Sequence, residues 1–226
     1  DARLREVDVD DALEGLLHCL LQWRIEGDAE VALDVPLREK VDFSLEPSPV
    51  VGGQGIGLLA QVLAKAALNA GWAIHACDTH GLAQRGGMVS SHLRLGQAYS
   101  PLVPDGQADL VLALERTEAA RAAVTMLKDG GSLAWYDAAW QALDVRMGQA
   151  KPVEASELKT SLNARKAIGY KVYRADLADP RMQNMVLLSA VLNADLIPRL
   201  SLDHVKTALS ELLPAKALEA NLALLQ

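Results

Sequence analysis

One run of residues, Asp78-Thr79-His80-Gly81-Leu82-Ala83-Gln84-Arg85-Gly86-Gly87, gathers a carboxylate, a hydroxyl, an imidazole, an amide and a guanidinium. A guanidinium fork matches carboxylate or phosphate oxygens two at a time, which makes Arg85 a candidate anion-facing group. His80 is a candidate for hydrogen bonding or proton chemistry in a site, and equally for ordering its own loop. Thr79 and Gln84 add neutral donors and acceptors, and Gly86-Gly87 lets the backbone turn sharply or be approached closely. Such a segment is poor material for a core and good material for a binding rim.

A second cluster lies upstream, Gly52-Gly53-Gln54-Gly55-Ile56-Gly57. Its glycines allow close backbone approach, and the helix expected behind it would aim N–H groups and a partial positive charge at a ligand. Gly55-Ile56-Gly57-Leu58-Leu59-Ala60 fits the G-x-G-x-x-G/A dinucleotide fingerprint, with Asp78 near the place of a ribose-binding acid. Three readings of this turn stand side by side. It serves a nicotinamide or flavin dinucleotide, it is purely structural, or it faces a phosphate of another ligand.

The elements that would position these loops alternate along the chain. A short apolar start at Val50-Val51 leads into the glycine turn, followed by a helix with Leu58, Leu59, Val62, Leu63, Ala66 and Ala67 at helical spacing, stopped by Gly71. Residues 72–77 read as a strand and 78–87 as a loop. Residues 88–95 alternate as a half-buried strand with His92 and Arg94 on its outer face. Residues 110–114 form a continuous apolar strand of the buried parallel kind. A helix over 117–128 closes at Gly130-Gly131, with strands at 132–136 and 168–173. The end is helical, over 180–196, 202–213 behind a Ser201 cap, and 215–225. Residues 138–165 give no clear pattern.

This order predicts an α/β fold, a three-layer α/β/α sandwich with a mostly parallel, Rossmann-like sheet, plus a helical N-terminal extension. The extension is placed at residues 1–47, with a helix from Asp10 or Asp11 through Ile25 and a weakly alternating stretch at 30–35. The Pro47-Ser48-Pro49 punctuation marks its boundary with the domain at 48–226.

Composition narrows the function. Of 226 residues half are hydrophobic but 4% aromatic, with one Phe, so the core must be Leu, Val, Ala and Ile. The net charge of -7 argues against a nucleic-acid partner. No uncharged apolar run approaches the roughly 18 residues of a membrane span. The two cysteines, Cys19 and Cys77, form no CxxC pair. That argues against an iron–sulfur cluster or structural zinc held by this chain alone, and fits a reducing, cytoplasmic setting. His75 fits a sheet histidine, His18 and Cys19 an amphipathic helix, and Trp135, Tyr136 and Trp140 core and rim. The basic residues Arg146, Lys151, Lys159, Arg165, Lys166 and Lys171 suit a solvated face, or else coenzyme A phosphates.

Taken jointly, the Gly-Gly-Gln-Gly turn, its helix and Thr79-His80-Gly81-Leu82-Ala83-Gln84-Arg85-Gly86-Gly87 resemble the gamma-type domain of the pyruvate/2-oxoacid:ferredoxin oxidoreductases, in the form typical of the indolepyruvate-type enzymes. Tyr99-Ser100-Pro101-Leu102-Val103-Pro104, Ala108 through Glu115, Asn184 and Ala220-Asn221-Leu222-Ala223 extend the resemblance over roughly residues 50–226. It implies a subunit or domain of an enzyme that oxidatively decarboxylates a 2-oxoacid, an arylpyruvate such as indolepyruvate, to an acyl-CoA. Thiamine diphosphate, Mg2+ and [4Fe-4S] clusters would sit on a large partner subunit or domain, with ferredoxin as acceptor and coenzyme A as co-substrate. By the same resemblance His80 and Arg85 would be catalytic, while Gly53, Gln54, Gly55, Thr79, Gln84, Gly86 and Gly87 would line the cofactor side. The alternative is a stand-alone NAD- or flavin-binding module. Whether the chain is a separate subunit or part of a fused polypeptide is left open by the sequence.

Overall fold

The computed structural model describes residues 4–8, 40–46, 55–80, 89–138 and 151–225. In chain order the elements are β1 (Leu4–Asp8), β2 (Lys40–Glu46), α1 (Ile56–Asn69), β3 (Ile74–His80), β4 (Val89–Gly96), β5 (Ala108–Ala113), α2 (Arg116–Thr125), β6 (Leu127–Tyr136), α3 (Ala155–Ala164), β7 (Ile168–Tyr173), a 3-10 turn (Pro180–Met182), α4 (Gln183–Asn193), α5 (Leu202–Leu212) and α6 (Ala215–Leu222).

The strands form one sheet in the order β1-β7-β6-β5-β2-β4-β3. From β1 through β2 every pairing is parallel, while β4 runs antiparallel to both β2 and β3. β3 therefore points the same way as β2, and β4 is the one reversed strand among those described.

Side-chain alternation in the central strands creates two cores. Leu110, Leu112, Ala134 and Tyr136 face one side, where α1, α4 and α5 pack with Leu59, Val62, Met185, Leu188 and Leu209. Val111, Ala113, Leu133 and Trp135 face the other, against Ala119 and Ala122 of α2 and Leu158 and Leu162 of α3. β5 is covered on both faces, which is why its sequence is a continuous apolar run. This is the expected three-layer α/β/α sandwich. Full burial of side chains such as Leu59 and Leu63 stabilises the α1 layer by about 1.5–3 kcal/mol each.

Several local expectations shift. A strand not expected from the sequence, β2, precedes the glycine turn and lies inside the sheet between β5 and β4, while Val50-Val51 lie outside the described residues. β1 and β2 both come from residues 1–47, so the segment read as an extension contributes two strands to the sheet. The helix expected over residues 10–25 and the stretch at 30–35 lie outside the described residues. β3 reaches through Asp78, Thr79 and His80, which the sequence suggested were loop. Gly130 and Gly131 lie within β6 rather than ending a helix; Gly131 passes so close to the Ala108 and Asp109 carbonyls, at a register shift of β5, that a Cβ would crowd them. The Ser201 cap is present as a capping box with His204. No helix among the described residues is long and apolar enough to cross a membrane.

Candidate functional site

The two strands that lead into the chemistry-bearing loops end at one edge of the sheet. β2 and β3 run the same way, so the segment after Glu46 and the segment after His80 leave the sheet at the same carboxyl edge. Only β4 separates those two strands, which puts their ends about 10 Å apart, two strand spacings. His80 pairs with Val89, so residues 81–88 close the β3–β4 hairpin at that edge. The hairpin is braced just below its tip, where Ser91 Oγ donates to Asp78 Oδ1 at 2.6 Å. Thr79 and His80 are thus the last backbone pairs under the tip. Gln84, Arg85, Gly86, Gly87, Gly53 and Gln54 lie outside the described residues.

The edge also contains a topological switch. The helix after β2, α1, covers one face of the sheet, whereas α2, after the adjacent β5, covers the other. Chain segments diverge there, between the ends of β2 and β5, the place where open α/β sheets usually form their ligand crevice.

On the α1 side the crevice is bordered by backbone. Gly55 caps α1 in the left-handed region at φ 82, a conformation that penalises any side chain. Its carbonyl accepts the Leu59 N–H at 2.8 Å and the Asn184 Nδ2 amide at 3.2 Å. Asn184, at the start of α4, is 2% exposed, and its Oδ1 accepts the Met185 N–H at 2.8 Å.

On the α2 side the border is charged. Glu115, 1% exposed, caps α2 by accepting the Glu118 N–H at 3.3 Å. Burial raises its carboxyl above the ordinary value, against hydrogen bonds from Thr117 and Glu118 that pull it down. Arg116 reaches across to the end of β6, donating Nε to Asp137 Oδ1 at 2.6 Å and Nη2 to Oδ2 at 2.8 Å. Trp135 Nε1 donates to the same carboxylate at 3.4 Å, and Lys171 Nζ stands 3.9 Å from it. Burial would lift Asp137, but the Arg116 guanidinium, with Trp135 and Lys171, overrides it and holds the carboxyl below the ordinary range. Tyr136 donates its hydroxyl to the Arg174 carbonyl at 3.1 Å, and burial pushes that phenol up.

Other sequence candidates take structural positions. Arg94 donates to the Ser100 and Leu102 carbonyls and holds the Pro-rich loop. His92, expected on an outer face, is 5% exposed; the face of β4 opposite α1 is closed there rather than open to water. It pairs in register with Cys77 of β3, whose thiol is pushed up by partial burial and by Asp78. Arg165 packs beside α2, donating to the Val124 carbonyl and to Asp129, away from the crevice. Sequence reasoning gave no role to Glu115 or Asn184. A carboxylate ending an apolar strand before a helix is a cap signal that was available for Glu115; nothing local marks Asn184.

Asp78, the ribose-acid candidate, does not suit a dinucleotide site. In the Rossmann arrangement the acid ends the strand next to the glycine turn, but here β4 intervenes and Asp78 engages Ser91.

The Archaeoglobus fulgidus protein named indolepyruvate oxidoreductase subunit IorB is 30% identical over 194 residues, covering 78% of this chain and 89% of that protein. The gamma subunit of a keto/oxoacid ferredoxin oxidoreductase from Geobacter sulfurreducens superposes with a TM-score of 0.53 at 20% identity, over 82% of this chain and 94% of that one. The 2-oxoglutarate:ferredoxin oxidoreductase of Magnetococcus marinus, solved with 2-oxoglutarate, coenzyme A and succinyl-CoA bound, gives 0.57 at 19% identity, over 82% of this chain and 30% of that larger one. At those identities the structural likeness speaks for the fold. The sequence signature carries the family: the pattern described as pyruvate ferredoxin/flavodoxin oxidoreductase matches residues 50–226, from the glycine turn through the last helix, and the chain belongs to that family.

Proposed function

We propose that this chain is the cluster-free component of a thiamine-diphosphate-dependent 2-oxoacid:ferredoxin oxidoreductase, acting on indolepyruvate or a related arylpyruvate in a cytoplasmic complex. The observation that carries this reading is that β2 and β3 run the same way on either side of β4, so the chain segments that follow them start from one edge of the sheet. Neither loop alone would require a partner; together they would form one wall of a site completed by another chain or domain.

The reaction joins the acyl group of the 2-oxoacid to the sulfur of coenzyme A. It releases carbon dioxide and a proton, and passes two electrons to ferredoxin. Bound thiamine diphosphate would supply the carbanion that makes decarboxylation possible, and [4Fe-4S] clusters would carry the electrons. Two cysteines cannot supply the four thiolates of such a cluster. These groups, with Mg2+, belong to a large partner subunit or domain, and this chain supplies a wall of a composite site.

On that wall, Gly53, Gln54 and Gly55 present backbone and amide donors to a polar group of cofactor or substrate. Arg85 faces a carboxylate or phosphate, the 2-oxoacid and coenzyme A both offering one. His80 hydrogen-bonds within the site, and Thr79, Gln84, Gly86 and Gly87 shape the loop that carries both residues. Paired charges at Arg116 and Asp137 hold the opposite border and take no part in the chemistry.

The test is co-purification followed by turnover. The chain, isolated with its thiamine- and cluster-bearing partner, should reduce a viologen dye in the presence of indolepyruvate and coenzyme A. Arg85→Ala should lower kcat/KM by about tenfold to a hundredfold, with Arg85→Lys in between. A chain that purifies alone and binds NAD with micromolar affinity would overturn the proposal.

A further inference from the structure

Asn184 lies 129 residues from Gly55 in sequence, yet its side chain rests on that glycine. The Gly55 carbonyl has two acceptor positions. The Leu59 N–H takes one, as the first hydrogen bond of α1, and Asn184 Nδ2 takes the other. The Met185 N–H on Oδ1 sets which way the amide points, so that the nitrogen faces Gly55. Asn184 is 2% exposed, so its side chain is fixed by packing where it meets the partly buried carbonyl. The fit is also steric: a Cβ on Gly55 would lie 2.6 Å from Nδ2 and 3.0 Å from Cγ.

We infer that Asn184 is a positioning residue for Gly55, fixing from helix α4 the direction in which the first turn of α1 presents its backbone N–H groups to a bound substrate. The carbonyl it holds belongs to the residue that sets the path of the chain into α1. The N–H groups of the first turn of α1 have no partner within the helix, so whatever fixes the turn fixes where they point. α4 packs against β6 and β7 on the same face as α1, so the amide ties the turn after β2 to the far strands of the parallel sheet. A group of this kind acts by preorganisation. Its loss weakens binding more than it slows the chemical step.

The inference rests on the functional reading above, in which the turn borders the substrate crevice. Two variants test it in the intact complex. Asn184→Asp keeps the shape and the Met185 contact but cannot donate to Gly55, whereas Asn184→Ala removes both. Hydrogen exchange should speed up by about tenfold in the segment containing residues 55–59 in both variants, with α5 and α6 unchanged. The KM for coenzyme A or for indolepyruvate should rise by about fivefold to tenfold, with kcat within about twofold of wild type. Should Asn184→Ala fail to fold, Asn184→Asp carries the test.

Faster exchange with both KM values unchanged would make Asn184 a structural brace and overturn the inference, as would unchanged exchange at residues 55–59. Failure of the functional reading is seen separately, as a wild-type complex with no 2-oxoacid-dependent turnover. That result removes the substrate half of the inference, while the exchange measurement still decides whether Asn184 holds the turn.

Discussion

Around Asp137 the carboxyl edge of the sheet is built from charges that answer one another. Arg116 binds the carboxylate through two nitrogens, Trp135 adds a third donor and Lys171 stands nearby. Around Gly55 the same edge is built from backbone and one neutral amide. Both regions are well packed, and both join elements far apart in sequence. They differ in what is left over. At Asp137 the polar groups are directed at each other, so the region ties the ends of β5, β6 and β7 together. At Gly55 the side chain of Asn184 is used up in holding a carbonyl, and the N–H groups of the first helical turn face away from that contact. Polarity alone therefore does not mark a candidate binding border; helix-start donors held in a fixed geometry are the better sign.

The contrast can be broken most forcefully at Asp137. Asp137→Ala leaves Arg116 half-buried without its partner and should lower unfolding free energy by about 2–3 kcal/mol in urea titrations. The KM values of the complex should not move; if they do, this region also touches substrate. Next in size is Gly55→Ala. Positive φ and the overlap with Asn184 together should cost about 2 kcal/mol. Combined with Asn184→Ala the loss should be less than additive, because both substitutions break one contact; strict additivity would separate the two residues.

A cap remote from the crevice provides the control. Ser201→Ala removes the capping box of α5 and should cost about 1 kcal/mol while leaving turnover unchanged. The smallest effect is expected at Glu115, and it has the opposite pH sign to Asp137. Asp137 is held below its ordinary 3.8, so its contribution is present above that value and is lost as pH falls through the folded value. Glu115 is raised above its ordinary 4.5, so stability falls as pH rises from there through the folded value, since the unfolded chain gives up its proton first. Glu115→Gln keeps an acceptor for the cap and removes the buried charge. It should raise unfolding free energy at neutral pH by about 1 kcal/mol or less and flatten that part of the pH profile; a loss of stability would mean that the carboxylate is needed as an anion.

Much of the fold is legible from local pattern. The helical spacing from Ile56 to Ala67, the apolar run into β5, the β7 strand and the Ser201 cap all appear where periodicity and capping chemistry put them. β2 was hidden because Lys40-Val41-Asp42-Phe43-Ser44-Leu45-Glu46 alternates, the pattern of a half-exposed strand, although it occupies an interior place in the sheet. Its immediate neighbour Pro47 reinforced the reading of a boundary. His92 was misjudged for a related reason: alternation says which face a residue takes, not whether that face is covered.

The sequence by itself determined that this chain cannot hold a four-thiolate cluster alone, because two cysteines cannot make four ligands. It also singled out two loops of unusual composition as the candidate site, because only glycine and a few polar types suit such turns. Tertiary structure alone decided that β4 stands between β2 and β3, that Asp78 belongs to Ser91, and that Asn184 reaches Gly55. Strand order and long-range hydrogen bonds arise from how whole faces pack, and a local window of residues carries no record of the partner it will meet.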